Sequence, residues 1–168
     1  MSARKAEKIL VVGTGTMGEG IAQTFAQNGF DVRFVARREE PLTRALEQIR
    51  VNVEQFIEFG LIEEKAEAVM ARIEGVVTTD MAKAVDGCSY VVETIREVLE
   101  EKRNLIGDIQ AADPGVIIGS NTGSLRMDAL AEGMPNPKTI IGIHYFNPAH
   151  IMPLVEVHRG SQTTDETY

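Results

Sequence analysis

The chain has 168 residues, 43% hydrophobic and 25% charged, which is typical of a soluble globular protein with a substantial core. Its formal net charge of -8 argues against nucleic acid as the main partner, because a nucleic-acid-binding surface carries a basic face. Cys88 is the only cysteine, so an internal disulfide is impossible, and the apolar runs are too short for a signal peptide or a membrane span. We therefore expect a single-domain cytoplasmic protein without a membrane partner.

The first predicted strand and the glycines after it form the strongest motif. Ile9–Val12 predicts a buried strand, Gly13–Gly18 fits the pattern G-x-G-x-x-G, and apolar residues then recur at helical spacing. In such a unit the first glycine allows a tight turn, the second admits a pyrophosphate, and the third lets the helix pack on the strand. The alternative is a glycine-rich turn without a ligand. We predict a dinucleotide site with contacts from Gly13, Gly15, Thr16, Met17 and Gly18.

The end of the second strand bears on which nicotinamide cofactor binds. Val32–Val35 predicts that strand, and Ala36, Arg37 and Arg38 follow it. Dinucleotide-binding units usually place Asp or Glu here, on the adenosine ribose. Without that carboxylate a 2′-phosphate is not repelled, and an arginine guanidinium binds phosphate well. The residues therefore favour NADP through Arg37, and NAD with solvated arginines is the alternative.

The rest of the chain alternates between helix and strand. Residues 39–73 hold two apolar stripes at helical spacing, broken at Gly60, and predict a helical hairpin inserted after the second strand. Later strands are predicted at 75–78, 88–93, 116–119, 139–143 and 154–158. This alternation predicts an α/β fold with a doubly wound, mostly parallel sheet. Ser124 is the expected N-cap of a short helix over 125–133.

The carboxyl ends of the predicted strands gather polar residues at one edge of the sheet. Glu93–Glu97, Ser120–Ser124 and His144 each end or follow a strand. Ligands of open parallel sheets bind at that edge. We therefore include Glu93 among the residues expected at the cofactor.

His144 is the candidate base of this edge, and Glu156 is its candidate partner. A neutral imidazole here can take a proton from a hydroxyl while hydride leaves the same carbon. Glu156 lies in residues 154–157, which the apolar pattern predicts to be buried, so its carboxylate needs a partner such as an imidazolium. The alternative is a satisfied structural histidine. We interpret His150 and His158 as structural, and no His, Asp and Glu group has metal-ligand spacing, so no metal is predicted.

Four segments together resemble one enzyme family. They are VVGTGTMGEGIAQTFAQNGFDV (11–32), VVETIREVLEEKRNL (91–105), IIGSNTGSL (117–125) and IGIHYFNPAHIMPLVEVHRG (141–160). In this order they are similar to the N-terminal domain of the 3-hydroxyacyl-CoA dehydrogenases. The resemblance implies a Rossmann domain that oxidises an L-3-hydroxyacyl thioester with NAD, or reduces the 3-keto form. It also implies that His144 is the base, Glu156 its partner, and that cofactor or substrate contacts come from Glu97, Lys102, Asn121 and Asn147.

The sequence departs from the family pattern in four respects. Gly123 stands where the family has its catalytic serine, although Thr122 or Ser124 can partly replace the hydroxyl. Ala36 stands where the family has a ribose-binding Asp, and Pro153 where acyl-CoA-specific members usually have Lys. The chain also stops where the family's helical C-terminal domain is expected. That domain supplies another active-site asparagine, much of the substrate pocket and the dimer interface.

The resemblance therefore implies an NAD(P)-dependent 3-hydroxyacyl-CoA dehydrogenase of fatty acid metabolism, with residues 1–168 as its cofactor-binding domain. The expected partners are an acyl-CoA substrate and, through the missing domain, a second copy of the chain. Two alternatives stay open: a dehydrogenase of a free 3-hydroxy acid, which Pro153 and Gly123 favour, and a non-catalytic dinucleotide-binding module. We expect residues 1–168 alone to bind cofactor but to turn over substrate weakly.

Overall fold

A seven-stranded sheet forms the centre of the molecule in a computed structural model, which describes residues 8–168. Its strands are β1 (Lys8–Val12), β2 (Asp31–Ala36), β3 (Ile73–Val77), β4 (Tyr90–Glu93), β5 (Ile117–Ser120), β6 (Ile140–Tyr145) and β7 (Val155–Arg159). The helices are α1 (Thr16–Gln27), α2 (Glu39–Glu58), α3 (Ala66–Met70), α4 (Met81–Val85), α5 (Leu99–Ala112) and α6 (Met127–Ala131), and a 3₁₀ helix spans Pro137–Thr139.

The strand order confirms the predicted doubly wound α/β fold. From edge to edge the strands lie in the order β3-β2-β1-β4-β5-β6-β7. Strands β1 to β6 are parallel, and β7 runs antiparallel to β6. The first six strands follow the order of the Rossmann fold, in which winding reverses between β1 and β4. A ligand crevice forms beyond the carboxyl ends of the strands at that point, and the glycine turn after β1 lies there.

Alternate residues of β1 supply two hydrophobic cores, one on each face of the sheet. Ile9 and Val11 pack in a cluster with α1 and α2, whereas Leu10 and Val12 pack in a second cluster with α5 and α6. Successive side chains of a strand point to opposite faces, so a strand covered on both sides must be apolar throughout. Burying each of these side chains contributes about 1.5–3 kcal/mol. Among the helices of residues 8–168, none is both long enough and apolar enough to cross a bilayer.

The region predicted as a helical hairpin, residues 39–73, is only partly helical. α2 is a 20-residue helix, and the chain turns after it where Gly60 adopts a φ of +70°. The second arm is reduced to the five residues of α3, and Ile73 begins β3 instead of ending a helix. Pairing with β2 takes precedence here, since Arg72 accepts a hydrogen bond from that strand through its carbonyl and is held by a two-pronged ion pair with Glu64.

Two expectations near the end of the chain are wrong. α6 begins at Met127, no side chain caps its N-terminus, and the hydroxyl of Ser124 bonds elsewhere. The segment expected to be buried includes the exposed side chains of Leu154 (54%) and Val157 (45%). β7 is an edge strand of the sheet, and these two side chains remain open to solvent.

Candidate active site

The glycine turn has the backbone geometry of a phosphate-binding loop. Gly13 adopts a φ of +111°, a conformation that residues with a Cβ rarely adopt. A Cβ on Gly18 would lie 1.8 Å from the carbonyl oxygen of Gly13, so only glycine lets α1 pack this closely. A Cβ on Gly15 would meet no atom within 4 Å. The open space beside Gly15 adjoins the first turn of α1, whose N–H groups have no side-chain cap, and it fits a pyrophosphate.

Thr94, just beyond β4, fastens this turn to its neighbouring strand. Its Oγ1 lies 2.9 Å from the carbonyl oxygen of Val12 and 3.1 Å from that of Gly13, and its backbone N–H also donates to Val12. The turn is therefore held in place by the protein itself. Sequence reasoning did not single out Thr94, because a threonine after a strand carries no distinctive pattern.

A cleft of about 650 Å³ extends from the glycine turn over the end of β2 to α5. This volume is in the usual range of sites for small molecules, about 300–1,000 Å³. Ala36, Arg37 and Arg38 all line it. Arg96 also lines it but is engaged by Glu101 at 2.5 Å, whereas Arg37 and Arg38 have no ion-pair partner among residues 8–168. The two free guanidiniums therefore lie where the adenosine half of a dinucleotide is expected.

A buried ion pair joins β4 to α5 beneath the crevice. The side chains of Glu93 and Lys102 are both 0% exposed, and Nζ of Lys102 lies 2.8 and 2.9 Å from the two carboxylate oxygens. The hydroxyl of Ser120 and the N–H of Ile95 donate to the same carboxylate. Burial raises the pKa of Glu93, and the ammonium of Lys102 and the hydroxyl of Ser120 oppose that rise. The pair fixes the ends of β4 and β5, and Lys102 further donates to the carbonyl of Asn121 at 3.4 Å.

Glu97 lies above this pair and is held by two hydroxyls. Thr122 and Ser124 both donate to its Oε1, Ser124 at 2.8 Å, and Nζ of Lys102 lies 3.5 Å from its Oε2. Partial burial raises the pKa of Glu97, but the two hydroxyls and the ammonium outweigh it, so the pKa lies below its ordinary value of 4.5. Glu97 is therefore negatively charged at neutral pH and orders the loop after β5.

His144 and Glu156 face each other across β6 and β7. They are register partners, and Nδ1 of His144 lies 2.9 Å from Oε2 of Glu156. The expected contact between the two side chains is present. The expectation that Glu156 is buried is wrong, because its side chain is 46% exposed. The hydrogen bond from His144 lowers the pKa of Glu156, which is therefore an ionised acceptor at neutral pH. The proton of Nδ1 lies in this bond, and Nε2 is left as a proton acceptor.

Hydrogen bonds connect the strand that carries His144 to the rest of the crevice. The N–H of Asn121 donates to the carbonyl at the end of β4, and its Oδ1 accepts from the N–H of Tyr145 at 3.0 Å. On the other side, Thr24 of α1 lies 3.3 Å from the carbonyl of Ala149, in the segment after β6. The imidazole of His144 is thus at the same edge of the sheet as the glycine turn.

Comparisons with known proteins agree with this geometry. The family described as 3-hydroxyacyl-CoA dehydrogenase, NAD binding domain, matches residues 8–168. The chain belongs to this family. A probable 3-hydroxybutyryl-CoA dehydrogenase of Deinococcus radiodurans is 41% identical over 161 residues, which are 95% of this chain and 57% of that protein. A crystal structure of 3-hydroxybutyryl-CoA dehydrogenase from Escherichia coli K12 matches with a TM-score of 0.91 at 32% identity, over 97% of this chain and 34% of that chain.

The relatives are longer than this chain. A probable 3-hydroxybutyryl-CoA dehydrogenase of Bacillus subtilis is 34% identical over 163 residues, 96% of this chain but 56% of that protein. The chain thus spans just over half the length of these two bacterial relatives, and what it shares with the 3-hydroxyacyl-CoA dehydrogenases is the NAD-binding domain.

The predicted site residues lie at different depths of this dehydrogenase domain. Thr16 and Arg37 are exposed at the crevice, and Met17 is half-buried against the core. Glu93 and Lys102 are fully buried, so neither charged group is exposed to solvent in the crevice. Asn147 is exposed beyond β6. Contact of each of these residues with a cofactor stays a prediction.

Gly123 gives the imidazole of His144 space that a 3-hydroxyacyl-CoA dehydrogenase with serine at this position would fill. A Cβ on Gly123 would lie 2.7 Å from Nε2 and 2.8 Å from Cε1 of His144. The hydroxyls of Thr122 and Ser124, expected as partial replacements for the serine, both donate to Glu97. Nε2 of His144 therefore faces the glycine backbone instead of a hydroxyl.

His158, interpreted from the sequence as structural, lies beside the pair formed by His144 and Glu156. Its Nε2 is 3.6 Å from Oε2 of Glu156. Glu156 and His158 are two residues apart on β7, so their side chains lie on the same face of the sheet, which is also the face of His144. The three residues form a group whose ligand atoms all lie within 4.8 Å of one another. The sequence pattern does not reveal this group, because its members are neighbours across two strands and not at metal-ligand spacing along the chain.

Proposed function

We propose that this chain is the cofactor-binding part of an NAD-dependent dehydrogenase that interconverts an L-3-hydroxyacyl-CoA and the 3-ketoacyl-CoA. One observation carries the proposal: an imidazole with Nδ1 bonded to a carboxylate and Nε2 free lies at the same sheet edge as the glycine turn. The substrate class is supported by the names of the relatives from Deinococcus radiodurans and Bacillus subtilis.

The residues of the chain perform the proton half of this reaction. The glycine turn, Gly13 to Gly18, would hold NAD, which would supply the hydride acceptor when bound. His144 takes the proton of the 3-hydroxyl at Nε2 as the hydride leaves the same carbon. The bond from Nδ1 to Glu156 keeps the ring oriented and stabilises the imidazolium that forms. In the reverse direction the same Nε2 returns the proton to the 3-keto oxygen.

Replacing His144 by glutamine in the natural protein tests this mechanism. NADH formation from L-3-hydroxybutyryl-CoA should fall by roughly 10²–10⁴-fold, the usual contribution of a general base. Binding of NADH, followed by its fluorescence, should stay within about twofold, because His144 is not part of the glycine turn. The matched control is His150→Gln, which should keep turnover. Unchanged turnover in His144→Gln would contradict the mechanism.

The end of β2 supports binding of NADP in addition to NAD. Ala36 supplies no carboxylate to repel a 2′-phosphate, and the free guanidiniums of Arg37 and Arg38 line the cleft. Titration of the chain with NADPH and NADH measures the preference, and equal or tighter binding of NADH would contradict a preference for NADP.

A free 3-hydroxy acid is the second candidate substrate. Pro153 is exposed and offers no positive charge to a CoA phosphate. The pair of His144 and Glu156 can remove the hydroxyl proton of a free acid as well as that of a thioester. Rates with L-3-hydroxybutyrate and with its CoA thioester separate the two candidates. The relatives are longer than this chain, and we further propose that a segment equivalent to their additional residues completes the substrate pocket and joins two copies of the protein. The exposed apolar side chains of Leu154 and Val157 support a contact surface at β7.

A further inference from the structure

The antiparallel pair of β6 and β7 presents two imidazoles and a carboxylate on one face. His144 pairs in register with Glu156, and Gly142 pairs with His158. His144 and Gly142 are two residues apart on β6, as Glu156 and His158 are on β7, so all four share a face. Because Gly142 has no side chain, the imidazole of His158 is not displaced by its cross-strand partner.

The spacing of these three groups suits a small cation. Oε2 of Glu156 lies 2.9 Å from Nδ1 of His144 and 3.6 Å from Nε2 of His158, and the three ligand atoms lie within 4.8 Å of one another. A tetrahedral zinc ion with bonds of about 2.0–2.1 Å holds neighbouring ligand atoms about 3.3–3.5 Å apart. Small rotations of the side chains therefore bring all three donors to bonding distance of one centre.

We propose that His144, Glu156 and His158 form a binding site for zinc or a similar divalent transition-metal ion at the edge of the sheet. Two imidazoles and one carboxylate are typical ligands of zinc, whereas magnesium and calcium prefer all-oxygen sites. Glu156 is 46% and His158 50% exposed, so solvent can supply the fourth ligand. Cys88 is buried, so its thiol does not compete for the metal ion.

The site has a consequence for catalysis, and this consequence alone rests on the proposed function. A metal ion on Nδ1 of His144 displaces the proton that this nitrogen donates to Glu156, releases it to solvent, and takes the carboxylate as a second ligand. The imidazole then carries a cation on one nitrogen, which makes Nε2 a weaker base. Zinc should therefore inhibit proton transfer reversibly without occupying the glycine turn.

The binding experiment needs neither cofactor nor substrate. Zinc chloride is titrated by calorimetry into the 168-residue chain, freed of any histidine tag, at a pH above the ordinary imidazole pKa of about 6.5. We expect one equivalent to bind and His158→Val to lower the affinity at least about tenfold, since even outer-shell changes cost 10–100-fold. His150→Gln is the matched control and should keep the affinity within about threefold.

A second measurement reports the geometry directly. Co²⁺ bound to two imidazoles and a carboxylate in tetrahedral geometry gives strong visible absorption, which should appear in the wild type and weaken in His158→Val. Circular dichroism establishes that each variant is folded. Equal zinc affinity in the wild type and His158→Val, or no binding to either, would overturn the proposal. Zinc binding without inhibition of the dehydrogenase would leave the site in place and count against the mechanism assigned to His144.

Discussion

Replacing Lys102 by methionine should destabilise the fold strongly, because it leaves the carboxylate of Glu93 buried without its counter-charge. Both side chains are fully buried, and two hydrogen bonds of 2.8 and 2.9 Å join them. Breaking a buried pair by removing one partner costs about 3–5 kcal/mol. For a domain of this size each kcal/mol lowers the melting temperature by about 2–4 °C, so the variant should melt about 6–20 °C below the wild type.

The matched double variant Glu93→Gln/Lys102→Met separates the cost of an unpaired buried charge from the cost of lost side-chain packing. It removes the orphaned charge while the amide can still bond Ser120 and the N–H of Ile95, so it should recover a large part of the stability. Urea unfolding followed by circular dichroism measures both variants. A loss below about 1 kcal/mol for Lys102→Met, or a double variant no more stable than the single one, would refute this reasoning.

The pH dependence of the Lys102→Met variant follows from the same carboxylate. Burial raises the pKa of Glu93 above its ordinary value of 4.5, and the variant lacks the ammonium that opposes this rise. The folded variant therefore binds the proton of Glu93 more tightly than the unfolded chain does. Its stability should therefore fall as the pH rises from 4.5 through the folded pKa of Glu93, and over a wider pH range than that of the wild type, in which Lys102 opposes the rise of this pKa. Urea unfolding at pH values across this window measures it, and a deficit that grows on acidification would contradict the sign.

Five further substitutions, at four positions, test the crevice. Gly15→Ala should weaken NADH binding without changing stability, since its Cβ would meet no protein atom. Gly18→Ala should lower the free energy of unfolding by roughly 1–3 kcal/mol or more, since its Cβ would lie 1.8 Å from a carbonyl oxygen. Fluorescence titration with NADH measures the first effect, and urea unfolding measures the second. Ala36→Asp should lower NADPH affinity about tenfold or more relative to NADH, as titration with both cofactors will measure. Gly123→Ala should lower turnover, because its Cβ would displace the imidazole of His144. Gly123→Ser should have a higher turnover than Gly123→Ala, because serine adds a hydroxyl beside Nε2.

Each of these expectations can be contradicted. Equal loss of stability in Gly15→Ala and Gly18→Ala would mean that the turn is not packed as described. An unchanged NADPH to NADH ratio in Ala36→Asp would remove the argument for a 2′-phosphate at β2. Identical turnover of Gly123→Ala and Gly123→Ser would show that no hydroxyl is needed at that position.

Local patterns were enough to predict the sheet and the glycine turn. Ile9–Val12 is apolar on both faces because β1 is covered by helices on both faces, and Gly18 is glycine because a carbonyl oxygen lies against it. Such demands act over a few residues and therefore leave a visible trace in the sequence. The limits of the hairpin were mispredicted because pairing of Ile73 with β2 depends on residues distant along the chain.

The candidate site was less predictable, because its contacts cross between strands. His144 and Glu156 were predicted to pair on the premise that Glu156 is buried, yet it is exposed and the pairing comes from the register of β6 and β7. The proximity of His158 to this pair was not predicted for the same reason, since His144 is on another strand. Lys102 was predicted from a family resemblance to contact ligands, and only the fold reveals that its charge is directed to Glu93.

The most direct test of the account is a crystal structure of the chain with NADH, in which the distance from the nicotinamide C4 to Nε2 of His144 is measured. A substrate carbon and its oxygen must fit between them, with a reacting distance of about 3–3.5 Å on one side and a hydrogen bond of about 2.6–3.2 Å on the other. We predict a separation of roughly 5–7 Å on this basis. A nicotinamide ring more than about 10 Å away, or on the opposite side of the sheet from the imidazole, would contradict the account.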